Sequence, residues 1–145
     1  MPRSFFLALL LCLAATAASA NMLEGKPDVV DGATLRIAGQ DIHLYAVKPP
    51  APGSRCQVAG EEADCGFQAT NALAFITAFQ WVQCQVMAPA ADGSVGRCFL
   101  AGRYDIGEKM VRAGWARANR NLAPAYGKAE DAAHAEAIGI WAKRK

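Results

Sequence analysis

The sequence predicts an α+β domain in which short strands form a small barrel and helices pack against it. Three observations support this class. Short apolar-polar runs separated by turn residues fill the first part of the chain, a helical periodicity follows, and further strands precede two C-terminal helices. The chain has 145 residues and shows neither an internal repeat nor a low-complexity linker, so we expect one domain.

The first twenty residues are typical of a secretory signal peptide. Arg3 supplies a positive start, residues 5–15 form a short apolar run, and Ala18-Ser19-Ala20 is a small-residue cleavage site. A retained membrane anchor is the alternative, but no stop-transfer pattern follows. We therefore expect a signal at 1–20, a single domain at 21–145, and a periplasmic or secreted protein without membrane attachment after cleavage.

The net charge is too small to attract nucleic acid or anionic lipid by long-range electrostatics. Cleavage after Ala20 removes one of the 15 basic residues, Arg3, and none of the 13 acidic ones, so the mature net charge is about +1 with histidine neutral. Any affinity for anions must therefore come from a local cluster of basic residues.

The cysteine count indicates disulfides. Cys12 leaves with the signal, and four cysteines remain, which are Cys56, Cys65, Cys84 and Cys98. An even number in an exported chain favours two bridges, and three pairings are possible. A cross-strand bridge from Cys84 to Cys98 is geometrically easy, and Cys56 would then pair with Cys65. A zinc site is the alternative, but closely spaced Cys-x-x-Cys ligands are missing from this sequence.

The middle of the chain divides into strands, a loop and a helix. The predicted strands are 33–38 and 42–47 around a turn at 39–41, then 81–87 and 95–100. Residues 49–60 are rich in proline and glycine and predict a loop. Residues 66–78 predict a helix that buries Leu73, Ile76 and Phe79.

Two helices are predicted near the end of the chain. Asp105 and Glu108 have the spacing of a capping box, and Gly114 is a suitable stop for the helix that they begin. Pro124 begins the second helix, which we expect to run to about residue 138. Trp141 is expected to pack back onto the domain, and Trp81 is likewise expected in the core.

Several segments resemble the thermonuclease family, the staphylococcal-nuclease-like proteins. The stretch 29–50 resembles the family's opening, where Asp-Gly-Asp-Thr, Arg-Leu and Asp-x-Pro-Glu occur in order. Cys65-Gly66, Gly96-Arg97-Cys98, the segment 110–116 and Gly139-Ile-Trp141 resemble later parts of the family pattern. The resemblance implies a five-stranded oligonucleotide-binding (OB) type β-barrel carrying three α-helices.

The resemblance also implies where a calcium-dependent nuclease would hold its reacting groups. Metal ligands fall on positions 31, 33, 34 and 48, the general base on 51, and two phosphate-gripping arginines on 43 and 97. This chain has Asp31, Ala33, Thr34, Lys48, Ala51, His43 and Arg97 at those positions. One metal-binding carboxylate and one arginine are therefore retained, and calcium binding is expected to be weak or absent.

Each retained position also has a structural interpretation. Asp31 is either a vestigial cation ligand or a turn residue that caps Gly32. His43 is either an acid or base or a strand histidine with a hydrogen bond. Arg97 is either part of a phosphate grip or a solvated hairpin residue.

The sequence supports three hypotheses of function. In the first, the scaffold is a catalytically impaired module, a monomer, in which His43, Lys48 and Arg97 bind a phosphate, a nucleotide or an acidic protein group without a cofactor. In the second, it is an active phosphodiesterase that hydrolyses DNA or RNA with altered metal ligands. In the third, it is a structural protein of the envelope or of exopolysaccharide production.

Overall fold

The computed structural model describes residues 21–143, so the predicted signal peptide lies outside the described residues. In this range the chain forms eleven strands, three α-helices and one 3-10 turn. The strands are β1 (Met22–Gly25), β2 (Asp28–Asp31), β3 (Thr34–Ile37), β4 (Gln40–Leu44), β5 (Val47–Lys48), β6 (Arg55–Val58), β7 (Glu61–Asp64), β8 (Val82–Ala90), β9 (Gly93–Leu100), β10 (Tyr104–Asp105) and β11 (Arg117–Ala118). The helices are α1 (Cys65–Thr77), α2 (Ile106–Arg112) and α3 (Pro124–Ala135), and the 3-10 turn is Gly139–Trp141.

The main sheet runs in the order β1-β8-β9-β4-β3-β2, and β10 adds to one end of β9. Its pairs are antiparallel except for β4 with β9, which run parallel. Among the described strands, this hydrogen-bonded path does not return on itself. The predicted α+β class is therefore confirmed, and the finer prediction of a closed five-stranded barrel is not.

The core lies on one face of this sheet, because side chains alternate along each strand. Leu35 of β3, Ile42 of β4 and Val82 of β8 are fully buried on that face. Helices α1 and α2 cover it with Leu73 and Met110, which are also fully buried. Within residues 21–143, no helix is long and apolar enough to cross a membrane.

Both predicted disulfides are formed. Cys84 and Cys98 lie directly opposite each other on β8 and β9, and both are fully buried. The second bridge joins Cys56 of β6 to Cys65, the first residue of α1. It therefore ties the short β6–β7 hairpin to the helix that follows it.

The helix predictions are confirmed at their starts. Asp105 is the N-cap of α2, and its Oδ1 accepts a hydrogen bond from the Glu108 backbone N at 3.2 Å. Helix α3 begins at Pro124 as predicted, but it ends at Ala135, three residues before the expected position. Gly114 has a φ of 75°, which suits the turn after α2.

Two strand predictions are wrong in detail. The predicted turn at 39–41 is instead a two-residue turn of Ala38 and Gly39, with φ values of 50° and 77°. Both residues adopt positive φ as a type I′ turn requires, so Gln40 and Asp41 belong to β4. The predicted loop at 49–60 contains β6, because Ala59 and Gly60 form another positive-φ hairpin turn.

The predicted burial of two aromatic residues is also wrong. Helix α1 ends at Thr77, and Phe79 has a φ of 59°, so the helical period that predicted its burial no longer applies there. Phe79 is fully exposed and Trp81 is 56% exposed. Trp141 is half-buried, as expected for a residue that packs back onto the domain.

We expect the Cys84–Cys98 bridge to contribute more to stability than the Cys56–Cys65 bridge. Replacing Cys84 and Cys98 together by alanine should lower the free energy of unfolding by about 3 kcal/mol, because it opens the larger of the two loops, with a sequence separation of 14 against 9, and leaves space at two fully buried positions. The matched control is the double alanine variant of Cys56 and Cys65, which removes the bridge that closes the shorter loop. Urea unfolding of the two variants measures the difference, and an equal loss would contradict it.

Candidate functional site

Four of the positions that the sequence analysis singled out lie on the face of the main sheet opposite the core. The register pairs Asp31 with Thr34, Thr34 with His43, and His43 with Val95 on neighbouring strands. Arg97 follows Val95 by two residues, so its side chain points to the same face. Strand pairing therefore brings Asp31, Thr34, His43 and Arg97 to one side of β2, β3, β4 and β9.

Asp31 acts in the structure as a turn residue. Its Oδ1 accepts a hydrogen bond from the Ala33 backbone N at 2.9 Å. Gly32 lies so close to α1 that an added Cβ would be 2.8 Å from the Ala69 Cβ and 3.0 Å from the Pro49 Cβ. The carboxylate thus shapes a tightly packed turn, and glycine is required at its centre.

His43 has a partner at each ring nitrogen. Its Nε2 lies 2.9 Å from Oδ1 of Asp92, in the β8–β9 turn, and its Nδ1 lies 3.0 Å from Oγ1 of Thr34. Because an ionised carboxylate only accepts, Nε2 carries the proton, and in neutral histidine Nδ1 accepts from the Thr34 hydroxyl. His43 therefore joins β3, β4 and the β8–β9 turn.

Arg97 is engaged by a buried carboxylate. Its Nε and Nη2 donate to Oδ2 of Asp105 at 3.1 and 2.7 Å, and the Tyr126 hydroxyl donates to the same oxygen at 2.7 Å. The Asp105 side chain is only 6% exposed, whereas that of Arg97 is 42% exposed. The hydrogen bonds to Asp105 raise the pKa of Arg97. Burial, with the bond to Asp105, raises the pKa of Tyr126.

Lys48 belongs to a different hydrogen-bonded sheet from these side chains, the two-stranded sheet of β5 and β11. There it is directly opposite Arg117, which the sequence analysis did not single out. Within residues 21–143, no hydrogen bond or ion pair joins Lys48 to His43 or Arg97. The predicted cluster of three basic residues is therefore divided between two sheets.

The metal ligands that the family resemblance implies can be compared with the side chains at those positions. Within residues 21–143, no three side chains among histidine, cysteine, aspartate and glutamate come together as a metal-binding group. Asp31 thus remains a single carboxylate in its turn.

Three partners of the predicted site residues were missed from the sequence. They are Asp92, which contacts His43, Tyr126, which shares Asp105 with Arg97, and Arg117, which lies opposite Lys48. Asp105 was identified as a helix cap, but its second oxygen has another role, which spacing along the chain does not reveal. The alternation along β9 gives one signal. Residues 98 and 100 are buried, so residues 97 and 99 point to the other face, and Asp105 lies opposite residue 99.

Comparison with known proteins adds one relative. No protein-family model matches the chain. The succinoglycan biosynthesis protein ExoI of Rhizobium meliloti (strain 1021) is 31% identical over 132 residues, and the match covers 86% of this chain and 68% of that protein.

Replacing Tyr126 by phenylalanine should lower the free energy of unfolding by about 1.5–3 kcal/mol near neutral pH, because Asp105 loses a hydrogen bond to its charged oxygen. The wild type should also lose stability above about pH 10. Its Tyr126 has a raised folded-state pKa, so the unfolded chain releases that proton first. Tyr126→Phe should flatten this alkaline decline.

Urea unfolding between pH 7 and 11 measures both effects, with Tyr104→Phe as a control that removes an exposed hydroxyl. An alkaline decline of the same slope in the wild type and Tyr126→Phe would contradict the assignment.

Proposed function

This chain belongs to the family of the succinoglycan biosynthesis protein ExoI, and from that relationship we propose that it is a non-hydrolytic accessory protein of exopolysaccharide biosynthesis. The relationship favours the third of the three hypotheses that the sequence left open. A binding role, the first hypothesis, is compatible with it, because an accessory protein acts by holding a glycan or a partner.

The observation that carries the non-hydrolytic part of the proposal is the engagement of Arg97. A phosphate-gripping arginine needs its guanidinium fork free for two phosphate oxygens. Here two of its nitrogens donate to Asp105, which is buried and also fixed by Tyr126. Turning Arg97 toward a substrate would leave the buried Asp105 charge with only the hydrogen bonds from Tyr126 and the Glu108 backbone N, which would destabilise the fold. The arginine therefore supports the fold.

Calcium does not fit the groups at the positions that the thermonuclease resemblance implies. Calcium takes six to eight oxygen ligands, with carboxylates prominent among them. Asp31 offers one carboxylate, and one of its oxygens already accepts from the Ala33 backbone N. Ala33 has no ligand atom, and the Lys48 ammonium would repel a cation.

The thermonuclease-like frame itself remains part of the proposal. The shared face of Asp31, Thr34, His43 and Arg97 supports it, as do the three helices and their order along the chain. In this frame the main sheet would correspond to an OB-type barrel whose ring of hydrogen bonds is not closed. The sheet serves as a scaffold, and its former reactive face is occupied by local contacts.

Export to the periplasm or beyond is the compartment that fits this role. Two disulfides in a chain of this size are expected where the environment is oxidising. The sequence pattern of residues 1–20 supports the same location. Exopolysaccharide assembly in that compartment would be accessible to the mature chain.

Deleting the gene in the organism that encodes this protein should lower the yield of extracellular polysaccharide severalfold, measured as hexose per cell. Complementation with the wild type should restore it. Asp31→Asn should restore it equally, because the amide oxygen keeps the turn and no divalent ion is required. An unchanged yield after deletion would overturn the proposed function, and failure of Asp31→Asn alone would overturn its non-hydrolytic part.

The frame predicts that calcium binding is recoverable. Introducing Ala33→Asp, His43→Arg, Lys48→Asp and Ala51→Glu together should produce measurable heat of calcium binding where the wild type gives none, because carboxylates return to the implied ligand positions. A control with Ala33→Asn, His43→Arg, Lys48→Asn and Ala51→Gln keeps the shapes without the charges. Tight calcium binding by the wild type, or none by the restored protein, would contradict the register.

A further inference from the structure

Two positive charges that form no ion pair within residues 21–143 face each other across the small β5–β11 sheet. Lys48 and Arg117 are directly opposite each other in this antiparallel pair, and both side chains are exposed. Directly opposite side chains on one face have Cβ atoms about 5 Å apart. Like charges at that spacing repel each other and destabilise a strand pair, so a bound anion would stabilise this arrangement.

The described part of the chain supplies no such anion. The carboxylates that form ion pairs in residues 21–143 belong to Asp41, Asp92, Glu62, Asp105, Glu136, Glu130 and Asp131. Each of these pairs with an arginine or histidine other than Arg117, and Lys48 appears in none. Arg103 and the other described lysines also form no ion pair, so the distinguishing feature of Lys48 and Arg117 is that they lie directly opposite each other on paired strands.

Two clefts meet at this pair. One of about 310 Å³ is lined by Lys48 and Arg117 together with Pro49, Pro50 and Ile140. The other, of about 570 Å³, is lined by the same two cations together with Val47, Asn119 and Leu122. Both volumes lie in the range of sites that take small molecules. A ligand that follows both clefts would cross the two cations at its middle.

Hydrogen bonds to α3 and to the residue before β5 fix the position of β11, the strand that carries Arg117. Glu130 accepts from the Ala118 backbone N at 3.0 Å and from Arg120 Nε at 2.9 Å, and Asn119 N donates to the Ala46 carbonyl at 2.8 Å. The Arg117 guanidinium lies 4.5 Å from the centre of the Trp141 ring. This stacking orients the guanidinium and reduces the entropy lost when it binds a ligand.

We propose that Lys48 and Arg117 form a binding site for a carboxylate carried on a saccharide chain. This inference rests on the proposed function, which makes a glycan the expected partner. The guanidinium of Arg117 matches the two oxygens of a carboxylate, and the Lys48 ammonium adds a second charge. Pro49, Pro50 and Ile140 offer apolar surface to the carbon face of a sugar ring. The two adjoining clefts suit an extended chain with its acidic group at the centre.

Isothermal titration of the mature protein with an oligogalacturonate tests the site, and a neutral glucose oligomer of equal length is the matched ligand. The wild type should bind the acidic oligomer and not the neutral one. Lys48→Gln and Arg117→Gln should each weaken binding about tenfold, because each removes one charge-assisted contact. Lys128→Gln, which makes the same charge change at an exposed position of α3, should bind as the wild type does.

A second measurement separates loss of the site from loss of the fold. Lys48→Gln removes the repulsion between opposite cations, so its melting temperature without ligand should rise by about 1–4 °C. A variant that is more stable yet binds less tightly has lost a ligand contact and not its structure. A fall in melting temperature with unchanged affinity would overturn the proposal.

The remaining outcomes all contradict the assignment. Equal affinity of the two Gln variants and the wild type would remove the site, as would the absence of binding by the wild type. Tighter binding of inorganic phosphate, of a hexaglutamate peptide or of a single-stranded oligonucleotide would show that the ligand is not an acidic glycan.

Complementation of the gene deletion distinguishes this inference from the proposed function. If deletion lowers polysaccharide yield and the Lys48→Gln, Arg117→Gln double variant restores it fully, the site is wrong and the function stands. If deletion has no effect while the wild type binds the acidic oligomer through these two residues, the function is wrong and the site stands.

Discussion

The carboxylate of Asp105 joins three elements of this fold. Its Oδ1 caps α2, and its Oδ2 accepts from Arg97 on β9 and from Tyr126 on α3. The group is almost wholly buried, so each of these hydrogen bonds lowers the cost of keeping a charge away from water. Sheet and helices are thereby fixed relative to each other by one side chain in addition to the apolar core.

The side chains of Arg97 and His43 are both held by partners within the domain. Arg97 lies on β9, and two of its nitrogens donate to the buried carboxylate of Asp105. His43 has likewise become a connector between Thr34 and Asp92. Lys48 and Arg117, in contrast, are exposed on the β5–β11 sheet.

Local signals predicted the helices of this fold well and its long-range partners poorly. Asp105 and Pro124 mark helix starts through backbone preferences that act over three or four residues, so they are visible in the sequence. The pairing of Lys48 with Arg117 joins residues far apart in the chain, and no periodicity reveals it. The predicted positions of two turns were also wrong, because Ala38 and Ala59 adopt positive φ. Glycine or asparagine usually signals that conformation in a sequence, and alanine does not.

The position of the Cys84–Cys98 bridge sets an order of events during maturation. Both sulfur atoms lie in the centre of the core, out of reach of any oxidising enzyme once the helices have closed over the sheet. The bond must therefore form while β8 and β9 are still an open hairpin. Afterwards a reductant has to wait for the domain to open, so the lifetime of the bridge follows the rate of unfolding.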